Sequence, residues 1–79
     1  MLPRSALALE LNQATEAELD SLKGMGPALS ARVLQARQTR GFADWTDFMR
    51  RVPGVGTAKA EAFAAQGLTV NGQGGPTRP

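Results

Sequence analysis

Two glycine triplets, each with the pattern Gly-x-Gly, constrain the fold of this chain more than any other feature of its sequence. The first is Gly24-Met25-Gly26 and the second is Gly54-Val55-Gly56, at an offset of 30 residues. At that offset each half has the pattern apolar-x-x-apolar-x-Gly-apolar-Gly-x-Ala, with the aligned pairs Leu19/Met49, Leu22/Val52, Met25/Val55, Ala28/Ala58 and Val33/Phe63. The chain therefore contains a duplicated unit, and its two copies can bury each other's apolar faces.

Each copy is predicted to be a short helix, a tight turn and a second helix. The turn falls on the glycine triplet, where Gly24 and Gly26 can take the positive φ angles that a tight turn demands. The predicted helices cover, in order, residues 16–22, 27–37 or 38, 45–51 and 57–65. No segment alternates apolar and polar residues as a strand does. We therefore predict an all-α fold, a compact bundle of about four to five short helices.

The predicted helix ends carry residues that favour them. Thr15 and Glu18 have the spacing of a capping box, and Asp44 and Asp47 repeat it before the third helix. Pro27 suits the first position of the second helix, where its missing N–H costs nothing. Thr57 either caps or opens the fourth helix, and the second and fourth helices are expected to end at Gly41 and Gly67.

A chain of 79 residues forms one small domain, predicted to span residues 10–70. Residues 1–9 are predicted to be a flexible terminus, since their apolar stretch is too short for a signal peptide. Residues 71–79 hold three Gly, two Pro and no apolar side chain, so we predict a disordered tail. No stretch approaches the roughly 20 apolar residues of a membrane span. As written the chain is expected to be cytoplasmic, or periplasmic or extracellular if a targeting segment has been removed.

The missing residue types exclude much chemistry. The sequence contains no Cys and no His, which removes thiolate nucleophiles, Ser-His pairs and zinc knuckles. No combination of acid, base and nucleophile suggests catalysis, so the chain is not expected to be an enzyme. Its charge is uneven: residues 1–22 hold one base and four acids, whereas the remainder holds eight bases and three acids. Such asymmetry suggests a polyanionic partner.

A Gly-x-Gly turn that leads directly into a helix can bind an anion. Its unpaired backbone N–H groups point outward at the positive end of the helix dipole. Two such turns, paired by the duplication, would present two anion sites side by side. The natural ligand for two spaced anion sites is a nucleic-acid backbone, and contacts to phosphate carry no sequence information.

Residues 19–28 and 49–60, built around these triplets, resemble the helix-hairpin-helix motif. Residues 10–70 as a whole resemble the tandem helix-hairpin-helix domain of ComEA, the bacterial competence DNA-receptor family. The resemblance extends to Leu11-Asn12-Gln13-Ala14-Thr15, Gly41-Phe42 and Leu68-Thr69-Val70. It implies the double helix-hairpin-helix, or SAM-like, fold. It also implies non-specific binding of double-stranded DNA across the minor groove. We expect the chain to be a monomer that acts in DNA uptake or repair, with other DNA-processing or uptake proteins as further partners.

The resemblance also implies which residues contact phosphate. Backbone N–H groups of Gly24, Gly26, Leu29, Gly54, Gly56 and Lys59 would be the donors, within hairpins that also include Met25, Ala28, Val55 and Ala58. The Lys59 side chain, then Lys23 and Arg32 near the first turn, would add charge. ComEA-like first hairpins usually carry Lys and Ala where this chain has Leu29 and Ser30. The first hairpin is therefore expected to bind DNA more weakly than the second.

Some members of the wider motif family hold a monovalent cation on backbone carbonyls beneath the hairpin. The matching positions are Asp20, Leu22 and Met25 in the first hairpin and Arg50, Val52 and Val55 in the second. No other cofactor is implied.

Several features have a structural alternative. The fold also occurs in a small extrinsic photosystem II subunit, so a protein-interaction or structural module without DNA binding is the alternative function. The aromatic residues Phe42, Trp45, Phe48 and Phe63 could stack on bases, but they are expected to form the core. Arg50 and Arg51 either flank the DNA groove or lie exposed to solvent at a helix end. Arg37 and Arg40 are expected to lie at a helix C-terminus, where their positive charge offsets the helix dipole.

Overall fold

Within the described part of the chain, four helices and one pair of very short strands make up the fold. The computed structural model describes residues 9–76. In chain order the elements are β1 (Leu9–Glu10), α1 (Glu16–Asp20), α2 (Pro27–Thr39), α3 (Trp45–Arg51), α4 (Thr57–Ala65) and β2 (Leu68–Thr69). The all-α prediction is confirmed, and α3 and α4 have the predicted bounds. No helix within the described range is long and apolar enough to cross a membrane.

Local side-chain caps explain where two of the helices begin. Thr15 and Glu18 form a reciprocal capping box: the Glu18 N–H donates to Thr15 Oγ1 at 3.1 Å, and the Thr15 N–H donates to Glu18 Oε1 at 2.9 Å. At α3, the Asp47 N–H donates to Asp44 Oδ1 at 2.8 Å. The Asp47 carboxylate instead accepts from the N–H of Ala43, one residue before the cap. The predicted second capping box is therefore only half formed, because Asp47 is shared with other donors.

The two units bury their apolar faces in one core, as the duplication predicts. Leu22 and Val52, and likewise Val33 and Phe63, are buried pairs at the 30-residue offset. The four aromatic residues are at most 2% exposed, which confirms their expected place in the core: Phe42, Trp45, Phe48 and Phe63. Such burial leaves no aromatic face open to stack on a base.

The chain closes through a parallel strand pair that the sequence did not predict. Leu9 pairs with Leu68 and Glu10 with Thr69. The Leu11 N–H extends this ladder by donating to the Thr69 carbonyl at 2.8 Å. Two-residue strands are too short for apolar alternation to be visible. The pairing brings both ends of the domain together, so the helix bundle is tied at its termini.

The segment after β2 is ordered where the sequence predicted a disordered tail from Asn71. Asn71 takes a left-handed φ of +52°, and its Nδ2 donates to the carbonyls of Phe42 and Ala43, both at 2.9 Å. The indole N–H of Trp45 donates to the Gln73 carbonyl at 2.8 Å. Composition alone suggested disorder, but polar contacts hold this turn over the core. Of residues 1–9, which were predicted to be flexible, Leu9 lies in β1. Residues 1–8, and residues 77–79 at the end of the predicted tail, lie outside the described residues.

Glu10 anchors that turn from the opposite terminus. Its carboxylate accepts from the N–H of Asn71 at 2.8 Å, from the N–H of Gly72 at 3.1 Å and from the Thr69 hydroxyl at 2.9 Å. Burial alone would raise the pKa of Glu10, but these donors, with the Asn12 N–H, together lower it. The ionised carboxylate is therefore a structural element of the closed domain.

Candidate functional site

The two glycines of each triplet have different conformations. Gly24 and Gly54 have φ angles of +93° and +102°, which favour glycine. Gly26 and Gly56 are extended, with φ of −85° and −98°, and serve as the N-caps of α2 and α4. The prediction of positive φ at Gly26 is therefore wrong, because an N-cap residue requires extended backbone. One left-handed residue per hairpin is enough to turn the chain.

The second glycine of each triplet is not required by the fold. A Cβ added at Gly26 or Gly56 would meet no atom within 4 Å, and the extended backbone there is open to any residue. Ser, Thr, Asp or Asn would cap these helices with a side chain, yet neither helix has a side-chain cap. Glycine thus leaves both helix starts uncovered and open to close approach from outside.

Several backbone N–H groups at each hairpin have no acceptor in the part of the chain that the structure describes. Met25 and Val55 donate to Leu22 and Val52, at 3.1 and 3.2 Å. Their neighbours have no acceptor among residues 9–76, namely Gly24, Gly26, Ala28, Leu29 and the equivalent Gly54, Gly56, Ala58 and Lys59. This set includes every N–H donor implied by the resemblance. Each hairpin therefore presents free donors at the positive end of a helix dipole, an arrangement that suits an anion.

The larger apolar side chains at the hairpins belong to the core and leave the surface to the backbone. Met25 and Val55 are each 4% exposed and Leu29 is 8% exposed, so these three predicted site residues can contact a ligand only through backbone atoms. Ala28 and Ala58 are exposed but small. The free N–H groups are consequently accessible to a ligand, because the exposed side chains of Ala28 and Ala58 are short.

Each hairpin lies against the helix that follows the other hairpin. Lys59, at the start of α4, donates from Nζ to the Gly24 carbonyl at 3.1 Å. In the equivalent contact, Leu29 Cδ1 lies 3.7 Å from the position of a Cβ added at Gly54. An ammonium group has three donors, so Lys59 can hold the first hairpin and still offer N–H groups to an anion beside both hairpins.

Further contacts between the units fix the hairpin positions. The Gln66 side-chain amide accepts from the Lys23 N–H at 2.8 Å and donates to the Lys23 carbonyl at 3.0 Å. Arg32 donates to the Pro53 carbonyl at 3.3 Å. Arg32 was expected near the first turn but contacts the second, because α2 leads away from its own hairpin. Lys23 stays at the first hairpin with an exposed side chain. Gln66 has no motif signal, and only the tertiary structure reveals it.

The remaining arginines divide into structural and exposed groups. Arg51 is mostly buried; it donates to Asp47 Oδ2 at 3.0 Å and to the carbonyls of Ala36 and Arg40, and it lies 4.5 Å over the Phe42 ring. It therefore braces the fold and does not flank a groove. The N–H of Ala43 and the Arg51 guanidinium hold the pKa of the Asp47 carboxyl below its usual value despite burial.

Arg37 also has a structural role, whereas Arg40 and Arg50 face solvent. Arg37 donates to the carbonyls of Leu11 and Ala14, both at 2.8 Å, so it holds the turn before α1 and does more than offset a helix dipole. The side chains of Arg40 and Arg50 are 68% and 74% exposed. These two guanidinium groups remain open to an external anion.

Two of the carbonyls at the predicted cation positions already accept a hydrogen bond. The Leu22 and Val52 carbonyls each accept one N–H, which leaves each with one lone pair. No group of three or more His, Cys, Asp or Glu side chains within residues 9–76 could hold a metal. Backbone carbonyls are thus the groups that could hold a cation here, and the cation stays a prediction.

Comparison with known proteins gives a match to a protein-family model. The model described as helix-hairpin-helix motif matches residues 5–66, which include both hairpins and all four helices. No curated protein and no solved structure showed significant similarity to the chain.

Proposed function

Because the chain belongs to the helix-hairpin-helix motif family, we propose that it binds double-stranded DNA without sequence preference, through backbone phosphates. That family is generally associated with non-specific DNA binding. One observation carries the proposal for this chain. Gly26 and Gly56 start their helices without a capping side chain, in backbone that any residue could adopt. Glycine at both places is explained if a phosphate must approach the helix start closely.

The contact geometry supports phosphate binding over base recognition. The free donors are backbone N–H groups, and the nearby aromatic side chains are buried. Backbone donors and exposed cations bind phosphate and carry no sequence information. With few phosphate contacts, the expected Kd is about 10⁻⁴–10⁻⁶ M at physiological salt.

Within this function, the ComEA-like features support a narrower proposal. The protein acts as a non-catalytic DNA-binding module in DNA uptake or repair and positions DNA for partner proteins. The support is the paired hairpins at their 30-residue spacing and the sequence similarity before and after them.

The test is a titration of ¹⁵N-labelled protein with a random-sequence duplex, followed by amide chemical shifts. Shifts should cluster at residues 24–29 and 54–59 and fade as salt rises. The same protein should respond equally to a second duplex of unrelated sequence. Shifts confined to other surfaces, or none at millimolar duplex, would refute the proposal and favour the protein-interaction alternative.

Lys59→Gln provides a variant with a matched control. Removing one phosphate-contacting cation should weaken binding for all sequences alike and lower the slope of log K against log salt by about 1. Glu61→Gln alters an exposed charge on the same helix without removing a cation, so its slope should equal that of the wild type. Equal slopes for all three proteins would exclude Lys59 from the interface.

A further inference from the structure

Arginine side chains connect α2 and the residue at its C-terminal end to α3 and to the residue before the second hairpin, and these contacts form a seam that ends at that hairpin. Three contacts in reverse chain order define it. Arg40 Nη2 lies 3.7 Å from Asp47 Oδ1, Arg51 Nη2 donates to the Ala36 carbonyl at 2.8 Å, and Arg32 Nη1 donates to the Pro53 carbonyl at 3.3 Å. We call the surface along these contacts the α2–α3 seam. Because Pro53 immediately precedes Gly54, the seam is continuous with the second hairpin.

The α2–α3 seam carries an excess of exposed positive charge. Arg32, Arg40 and Arg50 all lie on it with exposed side chains. Within the described residues, Asp47 is the one carboxylate within 4 Å of an arginine on this seam. It is 6% exposed and is already engaged by the buried Arg51. One guanidinium nitrogen of Arg40 and one of Arg50 lie 3.7 and 3.5 Å from Asp47 Oδ1, and both groups keep further N–H donors for an external anion.

The other half of the molecule has no equivalent of this charge. At the 30-residue offset, Arg32, Arg40 and Arg50 correspond to Ala62, Val70 and Asp20. The positive charge of the seam is therefore not part of the repeated pattern. Packing of the two units does not account for three exposed arginines, since two of them make only long contacts to one carboxylate.

We propose that Arg32, Arg40 and Arg50 on the α2–α3 seam form a phosphate track, a row of side chains that contact phosphates of one DNA strand next to those bound by the second hairpin. This inference rests on the proposed DNA-binding function. Arg32 lies within α2, and Arg40 is the C-cap residue that follows Thr39 in extended backbone. The seven residues from Arg32 to Thr39 rise about 10 Å, so the two side chains can reach different phosphates of one strand. Guanidinium forks suit phosphate oxygens in geometry and charge. The complex is thus asymmetric, with the longer contact on the side of the second hairpin.

The experiment compares the salt dependence of duplex binding for the wild type and Arg40→Gln/Arg50→Gln. Two lost phosphate contacts should lower the slope of log K against log salt by about 1.8. The ratio of the wild-type binding constant to that of Arg40→Gln/Arg50→Gln should therefore fall about tenfold when the salt concentration is raised from 50 to 200 mM. Arg40→Lys/Arg50→Lys keeps both charges and should keep the wild-type slope.

A matched control separates a local contact from a general change in charge. Gln13→Glu/Ala17→Glu alters the net charge by the same amount on an exposed, acidic part of the surface at α1. This control should leave the slope at the wild-type value within about 0.3, because the counterion count depends on phosphates contacted. If the double glutamine variant fails to fold, each single variant should lower the slope by about 0.9.

The outcomes distinguish this inference from the function on which it rests. If the wild type binds duplex with shifts at both hairpins while Arg40→Gln/Arg50→Gln keeps the wild-type slope, the phosphate track is refuted and DNA binding stands. The same conclusion follows if the α1 control lowers the slope as much as the arginine variant does. If the wild type binds no duplex, the proposed function fails and the track fails with it.

Discussion

Replacement of Gly56 by Asp separates the stability of the fold from the proposed function. Gly56 is the N-cap of α4, with φ −98° and ψ −172°, and an added Cβ meets no atom within 4 Å. An aspartate there can accept from the free N–H of Ala58 or Lys59, as N-cap carboxylates do. Those are the groups that the proposal assigns to phosphate. The same hydrogen bond should therefore stabilise the helix and block the ligand.

The two expected effects have opposite signs and measurable sizes. Asp in place of Gly at an N-cap gains a few tenths of a kcal/mol, and a negative charge at a helix N-terminus adds about 0.3–1 kcal/mol. A gain of about 1 kcal/mol raises Tm by roughly 4–8 °C in a domain of this size. Losing one hydrogen bond to a charged group costs about 1.5–3 kcal/mol, so duplex affinity should fall about 10- to 150-fold.

Thermal unfolding followed by circular dichroism measures the first effect, and fluorescence anisotropy with a labelled duplex measures the second. Gly56→Ser is the neutral control: it caps the helix without adding charge, so it should weaken binding less. Gly54→Ala tests the other glycine and should destabilise the fold by about 1–3 kcal/mol, because Gly54 has a φ of +102°. A stable Gly56→Asp protein with wild-type affinity would refute the role of the hairpin N–H groups, and a destabilised one would refute the steric argument.

Three further predictions concern the first hairpin and the two structural carboxylates. Gly26→Asp should likewise reduce duplex affinity in the same anisotropy assay, because the added carboxylate would accept from the free N–H of Ala28 or Leu29. Arg51→Gln should lower the free energy of unfolding by about 3 kcal/mol in urea, because it leaves Asp47 buried without its main partner; a loss under about 1 kcal/mol would contradict the bracing role. The pKa values of Glu10 and Asp47 are lowered in the folded state, so both carboxylates stabilise the protein above their ordinary pKa values of 4.5 and 3.8. Stability should therefore be level near neutral pH and fall as the pH drops below about 4.5 and through the lowered values, whereas a fall beginning near pH 6 would point to other groups.

Features set by neighbouring residues could be predicted from the sequence. The Thr15 cap, the proline that opens α2 and the bounds of α3 and α4 depend on residues within one turn of each helix end. The repeat of the triplets likewise predicted a shared core. The two-residue strands left no such signal, because two positions cannot show a period. The order after Asn71 arises from contacts with Glu10 and Phe42, which are about 60 and 30 positions away in the chain.

The candidate site was predictable in its backbone and less so in its side chains. The free N–H groups follow from a helix that starts directly after a glycine turn. Which arginine stays exposed depends on its tertiary partners. Arg50 and Arg51 are adjacent in the sequence, yet Arg51 is buried over Phe42 while Arg50 faces solvent. The position of Arg32 at the second hairpin depends on how α2 is placed relative to that hairpin, which no local pattern specifies.

The contacts between units bear on why a duplex should be preferred over a single strand. Gln66 and Lys59 hold the first hairpin from the second unit, and Arg32 holds the second hairpin from the first. Each hairpin is thus fixed relative to the other before any ligand binds, so binding does not carry the entropic cost of ordering the hairpins. Two rigidly spaced anion sites match phosphates that are themselves held at fixed spacing. A flexible single strand must lose conformational entropy to reach both hairpins, so the rigidity of the protein, without any base contact, favours the duplex.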